Sequence, residues 1–482
     1  MANNIKTKTV KGFIWRFSER ICAQLVSFVV SVILARILLL EDYGVVVIVN
    51  VFISIANVLV SSGFGTSLIQ KKDADELDFN TMLHFSFLLS IVLYFILFFA
   101  APLVAKIFKS DLIIPVLRVM GIRLPISAIS SIQHAIVSRR MNFKNFFFAT
   151  IIGTVISAVV GIIMAYKGYG VWALVAQNLI NITIDTIVLS ITLRWRPKFI
   201  FSWQRFKELF SYSSQILLAS LLGTVCDKLK SLIIGGKYSK TDLSFYNKGE
   251  NLPTLITDNI NSSLDTVLFP ALSKFQDDIE QIKKAVRKSI RLGCFITFPL
   301  MFGLGTVADK VILILLTEKW AGSIIFVRIL CFQCLWGIIN SINVQAIKAV
   351  GRSDIILKLE FIKKPLFLLI ILGCAFISPL AIAIGSAVYS FLVFFINAFP
   401  NKKLLNYSFF EQFKDISLYL LFCIIMSVIV LLIGLINLNI YLSLFLQIIA
   451  GFGIYIGLSL LLKCDDFYYL INLLKGNKSE EQ

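Results

Sequence analysis

Apolar residues run along this chain in blocks of about 20, separated by short clusters of charged and turn-forming residues. Wound as a helix at ~1.5 Å per residue, such a block crosses about 30 Å of hydrocarbon. Fourteen blocks are legible, at about 13–37, 44–69, 80–105, 112–136, 145–166, 170–193, 209–234, 252–272, 291–314, 321–345, 357–377, 379–399, 416–436 and 440–462. A β-barrel would instead show alternating segments of about 10 residues, a pattern not visible here. The spacing therefore predicts an all-α polytopic membrane protein with about 14 transmembrane helices. Spans 4 and 8 are the most polar, and Pro115 and Pro125 predict a kink in span 4.

Composition sharpens this picture. Hydrophobic residues make up 58% of the 482 positions and charged residues only 15%, with a mean hydropathy of +0.86. A soluble domain has about 25% charged residues, so a soluble enzyme, a disordered chain and a disulfide-rich secreted domain are excluded. The first block contains Arg16, Glu19 and Arg20 and lacks a small-residue cleavage site, so it is expected to be retained. The eight cysteines are scattered; Cys331 and Cys334 fall inside an apolar helix and read as core filler.

The net charge of +18 would suggest nucleic acid in a soluble protein. Here basic loops held on the cytoplasmic side account for it, and no nucleic-acid partner is expected. With the N-terminus inside, 28 loop lysines and arginines face the cytoplasm and 10 face outward. The bias predicts both termini in the cytoplasm. The longest inner connections, about 194–208 and 274–290, read as amphipathic segments at the membrane surface, with Trp195 and Trp203 at headgroup level.

The two halves resemble each other. Ser131-Ile132-Gln133 leading to Arg139-Arg140 matches Ser341-Ile342-Asn343 leading to Gly351-Arg352, at an offset of 210 to 212. Asn50, Ser54, Asn57 and Ser61 match Thr254, Asp258, Asn261 and Asp265 at an offset of 204. Six spans per half would make parallel repeats about an axis along the membrane normal. The predicted organisation is an N-terminal six-helix lobe at 1–205, a second at 206–400, and two additional helices with a tail at 401–482.

Polar groups inside a membrane are costly, at about 2.5–3.5 kcal/mol per central charge, so those present are candidates for function. Arg16, Arg20, Gln24, Ser27 and Ser31 share one face of span 1. Ser220, Thr224, Asp227, Lys228 and Ser231 form the counterpart in span 7, and Arg123, Ser127, Ser130 and His134 share a face of span 4. Stripes on spans 1, 2, 7 and 8 predict a hydrated cleft shared by the halves. The bland readings are snorkelling for Arg16 and Arg20, ion pairing for Asp227, Asp258 and Asp265, and a local helix pair for Glu360 with Lys363 and Lys364. His84 and His134 read as structural. No loop carries a Walker A pattern, no paired His or Cys cluster suggests a metal, and no nucleophile with its base is recognisable, so neither a cofactor nor an enzyme is expected.

Several motifs together resemble a family. They are Lys11-Gly12-Phe13-Ile14-Trp15, Glu41-Asp42-Tyr43-Gly44, Leu68-Ile69-Gln70-Lys71-Lys72-Asp73 and Arg140-Met141-Asn142-Phe143-Lys144. Gly168-Tyr169-Gly170-Val171-Trp172, Tyr246-Asn247-Lys248, Phe269-Pro270-Ala271-Leu272 and Lys319-Trp320 complete them. The chain resembles the Wzx-type polysaccharide transporters of the MOP superfamily, relatives of the MATE exporters, nearest the colanic acid and teichuronic acid branch. Leu40 stands where such sequences usually have proline, and Thr317 where glycine is common. The resemblance implies two six-helix lobes around a cavity. It also implies flipping of an undecaprenyl-diphosphate-linked oligosaccharide across a bacterial inner membrane, for O-antigen, capsule or exopolysaccharide.

A diphosphate needs cationic partners on leaving water, and the guanidinium forks of Arg16, Arg20 and Arg123, with Lys228, suit it. Gln24 and Asn57 can meet sugar hydroxyls. A charge near −2 moving outward gains about 4–5 kcal/mol per 100 mV of inside-negative potential; ion coupling through Asp227, Asp258 or Asp265 is the other source of drive. Membrane lipids and the polysaccharide polymerase machinery are the further partners. Two alternatives stand beside the flippase: an ion-coupled MATE-type exporter, against which the basic stripe argues, and a polymerase or ligase, against which the short outer loops argue.

Overall fold

The computed structural model describes residues 2–61, 64–71, 73–140, 143–193, 195–273 and 278–474. Every regular element among them is helical. By packing, the chain divides into two compact units, residues 1–244 and 245–482.

The first unit contains α1 (Ala2–Ile37), α2 (Leu40–Ser61), α3 (Phe64–Gln70), α4 (Glu76–Ile107), α5 (Ile113–Gly121), α6 (Arg123–Arg140), α7 (Phe143–Tyr166), α8 (Val171–Thr192) and α9 (Trp203–Lys237). It also holds the first turn of α10 (Lys240–Ser273). α11 (Ile279–Thr306), α12 (Ala308–Leu316), α13 (Ser323–Ala349), α14 (Ser353–Cys374), α15 (Pro379–Leu404), α16 (Phe409–Gly434), α17 (Ile440–Leu461) and α18 (Asp465–Leu474) follow in the second.

Eleven segments among the described residues are long and apolar enough to cross a membrane, α5 and α6 counting together. α9, α10 and α14 have the length but carry more charge, including Asp227 and Lys228, Asp258, and Glu360 with Lys363 and Lys364. Both lysines lie against Glu360, Lys363 at 2.5 Å and Lys364 at 3.8 Å. The protein is thus a multi-span helical membrane protein. The kink expected in span 4 is a break at Ile122, three residues before Pro125, whose ring cannot sit in a helix interior without costing a hydrogen bond. A second break, at Val307, divides the segment expected as one span.

Local signals set the helix ends. Asp75 and Asp78 cap α4 reciprocally, and Ser408 and Glu411 do the same for α16. Ser378 caps α15, whose first residue is Pro379. Leu40 begins α2, the position at which proline is pre-organised, so its departure from the expected proline keeps the helix start. Gly168 and Gly170 turn the chain between α7 and α8 with φ of +79° and +53°. Thr317 adopts φ +76° and ψ 172°, a region suited to glycine, and the strain costs about 1–3 kcal/mol.

In the first unit α1 packs on α7, α7 on α8, α8 on α6, and α6 on α2 and α4; α9 packs on α2, α3 and α4. A core of Met82, Ile132, Phe146, Leu189, Trp195 and Phe206 closes one end. Trp195 is buried in this core, whereas Trp203 is 58% exposed. Beside this core Asp78 is fully buried, its charge met by Lys71 at 2.8 Å. Unmet, a buried carboxylate would cost several kcal/mol. Asp75, outside the helix, accepts the Asp78 N–H, which with Arg205 holds its carboxyl below the usual range. The connection back to α9 is pinned by the Lys198 N–H on Asn80 Oδ1 at 2.7 Å.

In the second unit α13 packs on α11 and α15, and α16 and α17 pack on α11. Asn343, Asn401 and Gln412 are almost fully buried and hydrogen-bond one another at 2.6 to 3.1 Å, fastening α13, α15 and α16. The 274–290 connection is mostly helix: α11 starts at Ile279 and runs on into the apolar segment. Lys310, one of the 10 cations counted in the sequence as facing outward from loops, is buried, and its Nζ donates to Ser443 Oγ and, at 2.8 Å, to Gln447 Oε1. Cys331 and Cys334 are buried thiols of α13.

Candidate functional site: a polar seam in the first unit

Along one face of α6 stand Arg123, Ser127, Ser130 and His134, at steps of 4, 3 and 4, over roughly 16 Å of helix. α8 faces them with Asp185. Its Oδ2 lies 2.9 Å from His134 Nε2 and accepts the Ser130 hydroxyl at 3.4 Å. One turn away, Asn181 donates to Thr154 Oγ1 at 3.3 Å and to Ser157 Oγ at 3.4 Å on α7. Gln133, on the neighbouring flank of α6, donates to Ser190 Oγ at 2.7 Å.

Glycine 153 makes this arrangement fit. A Cβ there would lie 2.9 Å from the Asn181 carbonyl oxygen and 3.3 Å from the Asp185 nitrogen. Its absence lets α8 approach α7 at the turn that carries Asp185. Phe146 closes the other side of His134, edge to face at 4.7 Å.

The seam is under-satisfied. Asp185 Oδ1, Ser127 Oγ, Gln133 Oε1, Arg123 Nε and, on α2, Asn57 Oδ1 are buried atoms without a hydrogen-bond partner among the described residues. Each such atom costs about 1–3 kcal/mol, and native interiors hold few of them. Five lie on packed neighbouring helices, where a ligand with donors and acceptors could pair with them. Arg123 offers a cation, and Asn and Ser groups match hydroxyls.

The other residues singled out in the sequence fall elsewhere. Arg20 is exposed and Gln24 half-buried on α1, which packs on α7. The side chain of Arg16 lies outside the described residues, as does that of Asp265. Lys228 is half-buried and Asp227 exposed on α9; Asp258 is exposed on α10. Asn57 and Arg123 belong to helices in direct contact, α2 and α6, and α2 also contacts α9. His134 contacts Asp185, joining α6 to α8. Asp185 itself escaped the sequence reading. The signal was present: it is the lone charged residue of α8, with Asn178 and Asn181 on the same face.

Residues 33–325 match the family described as polysaccharide biosynthesis protein. The succinoglycan biosynthesis transport protein ExoT of Rhizobium meliloti is 23% identical over 67% of this chain, a match spanning 65% of that protein's length. The teichuronic acid biosynthesis protein TuaB of Bacillus subtilis is 21% identical over 73% of both chains. The lipopolysaccharide biosynthesis protein WzxC of Escherichia coli is 21% identical over 79% of this chain and 78% of its own. In fold, the chain matches the lipid II flippase MurJ with a TM-score of 0.76, at 14% identity, covering 95% of this chain and 99% of that one. An inward-facing MATE transporter of the MOP superfamily matches at 0.62, with 14% identity over 82% and 98%. With 293 consecutive residues under the family model, the chain belongs to the polysaccharide biosynthesis protein family, and its fold is similar to those of the MurJ and MATE structures.

Proposed function

We propose that the protein flips an undecaprenyl-diphosphate-linked oligosaccharide from the cytoplasmic to the periplasmic leaflet of a bacterial inner membrane. The observation that carries this reading is the seam of unpartnered buried polar atoms with a cation at its end, in a member of a polysaccharide biosynthesis family. Arg123, with Lys228 and the α1 residues Arg16 and Arg20, serves the diphosphate; Gln24, Asn57, Ser127 and Asn181 serve sugar hydroxyls. Asp185 with His134 joins Asp227, Asp258 and Asp265 as a group through which an ion gradient can couple. Recurrence of helix order supports a duplication with repeats at 1–205 and 206–400, and 401–482 as an addition: α9 and α10 are divided after Lys237 as α1 and α2 are after Ile37. The polymerase machinery receives the product on the far side.

The test is complementation. A host deleted for its own flippase and carrying the polysaccharide gene cluster that accompanies this chain should regain surface polymer when the chain is expressed. If lipid-linked repeat units still accumulate on the cytoplasmic side, the reading fails.

The basic-residue bias supports both termini in the cytoplasm. Exposed positions check it: cysteines at Lys144 and Lys284 should resist a membrane-impermeant thiol reagent in intact cells, and cysteines at Lys167 and Glu318 should react. Buried Lys310 is unsuitable as a reporter. The reverse labelling pattern would invert the orientation.

A further inference from the structure

A cavity of about 620 Å³ lies in the second unit between α11 and α18. Lys284, Arg287, Lys288 and Arg291 line one wall, at steps of 3, 1 and 3 along a single face of α11. Asp465, Asp466, Tyr468, Tyr469 and Asn472 of α18 line the other.

The four cations do different things. Arg287 is committed to Asp415 through two parallel hydrogen bonds of 2.7 and 2.6 Å. Arg291 is committed to Asp466, with its Nε at 2.9 Å, and Asp466 also takes the Tyr419 hydroxyl. These pairs fix α18 and the start of α16 against α11. Lys288 stands over the Tyr469 ring, 3.5 Å from its centroid. Neither Lys288 nor Lys284 has a carboxylate within ion-pair distance among the described residues. Two ammonium groups, a phenol pair and an amide therefore line a cavity whose arginines are already matched, together with Asp465, which is largely exposed and 4.0 Å from Arg291.

The depth of the cavity points to its occupant. The apolar part of α11 begins directly after Arg291, and the apolar α17 ends at Leu461, just before α18. Both transitions from hydrocarbon to water meet at this wall, the level of lipid headgroups, where tyrosine is favoured.

We infer that this cavity binds a phosphate group through Lys284 and Lys288, and that at this depth the phosphate is that of an anionic phospholipid. It is separate from the seam in the first unit and independent of the substrate proposed for it. The test uses native mass spectrometry of the detergent-purified full-length protein titrated with phosphatidylglycerol or phosphatidylcholine. A variant carrying Lys284→Gln and Lys288→Gln is compared with one carrying Lys402→Gln and Lys403→Gln, an equal charge loss at exposed positions of α15. Phosphatidylglycerol should bind in preference to phosphatidylcholine, and the first variant should weaken it about thirtyfold, each lysine near a charged surface being worth about 1 kcal/mol. The second variant should bind as the wild type does, and excess inorganic phosphate should leave the lipid bound. Displacement by inorganic phosphate, with the same dependence on the two lysines, would keep the phosphate site and move its source to solution. Equal binding by wild type and the first variant, or equal loss in both variants, would overturn the site.

Discussion

Arg123→Ala should lower polysaccharide export at least about tenfold while leaving the amount of membrane-inserted protein unchanged. A charge-assisted hydrogen bond to a ligand is worth about 1.5–3 kcal/mol, which converts to roughly ten- to hundredfold. The side chain holds no internal structure through its Nε, which is buried and without a partner among the described residues, so its loss falls on the ligand. Arg123→Lys should recover only part of the activity, because lysine supplies charge without the fork. Quantifying surface polymer and undelivered lipid-linked repeat units in the same cells separates the outcomes. Normal export by Arg123→Ala would remove this residue from the anion path.

The second large effect is expected from Asp185→Asn. A carboxylate in α8 costs about 2.5–3.5 kcal/mol to insert near the membrane centre, so a purely structural role would favour the amide. The amide keeps a partner for His134 and Ser130. The variant should therefore melt at or above the wild-type temperature in detergent and yet lose transport. A variant that transports normally would show that the His134–Asp185 pair only joins α6 to α8. A variant that is inactive because it is unstable would assign the pair to folding.

Much of the fold was legible because the membrane simplifies the problem. A run of apolar residues long enough to cross hydrocarbon can satisfy its backbone only as a helix. The proline at 125 announced the break before it. The extension of α11 back to Ile279 was less visible, because a charged amphipathic segment reads alike at a membrane surface and at the end of a long helix. Trp195 looked interfacial by its basic neighbours; its burial depends on Phe206 and Leu189, contacts that sequence spacing does not encode. Lys310 looked like a loop cation until α17 supplied Ser443 and Gln447. The α6 face from Arg123 to His134 followed from helical periodicity alone. Its partner Asp185 did not, since one acid in an apolar helix declares a cost without naming what offsets it.

The most direct test of the account is flipping by the purified protein in vesicles. The protein is reconstituted with an undecaprenyl-diphosphate-linked oligosaccharide carrying a fluorophore, and a membrane-impermeant quencher reports the leaflet. Potassium gradients with valinomycin set the potential. The account predicts protein-dependent exchange between leaflets, accelerated when the potential favours movement of the diphosphate, and reduced at least about tenfold in Arg123→Ala. Exchange no faster than in protein-free vesicles, or equally fast in Arg123→Ala, would contradict it.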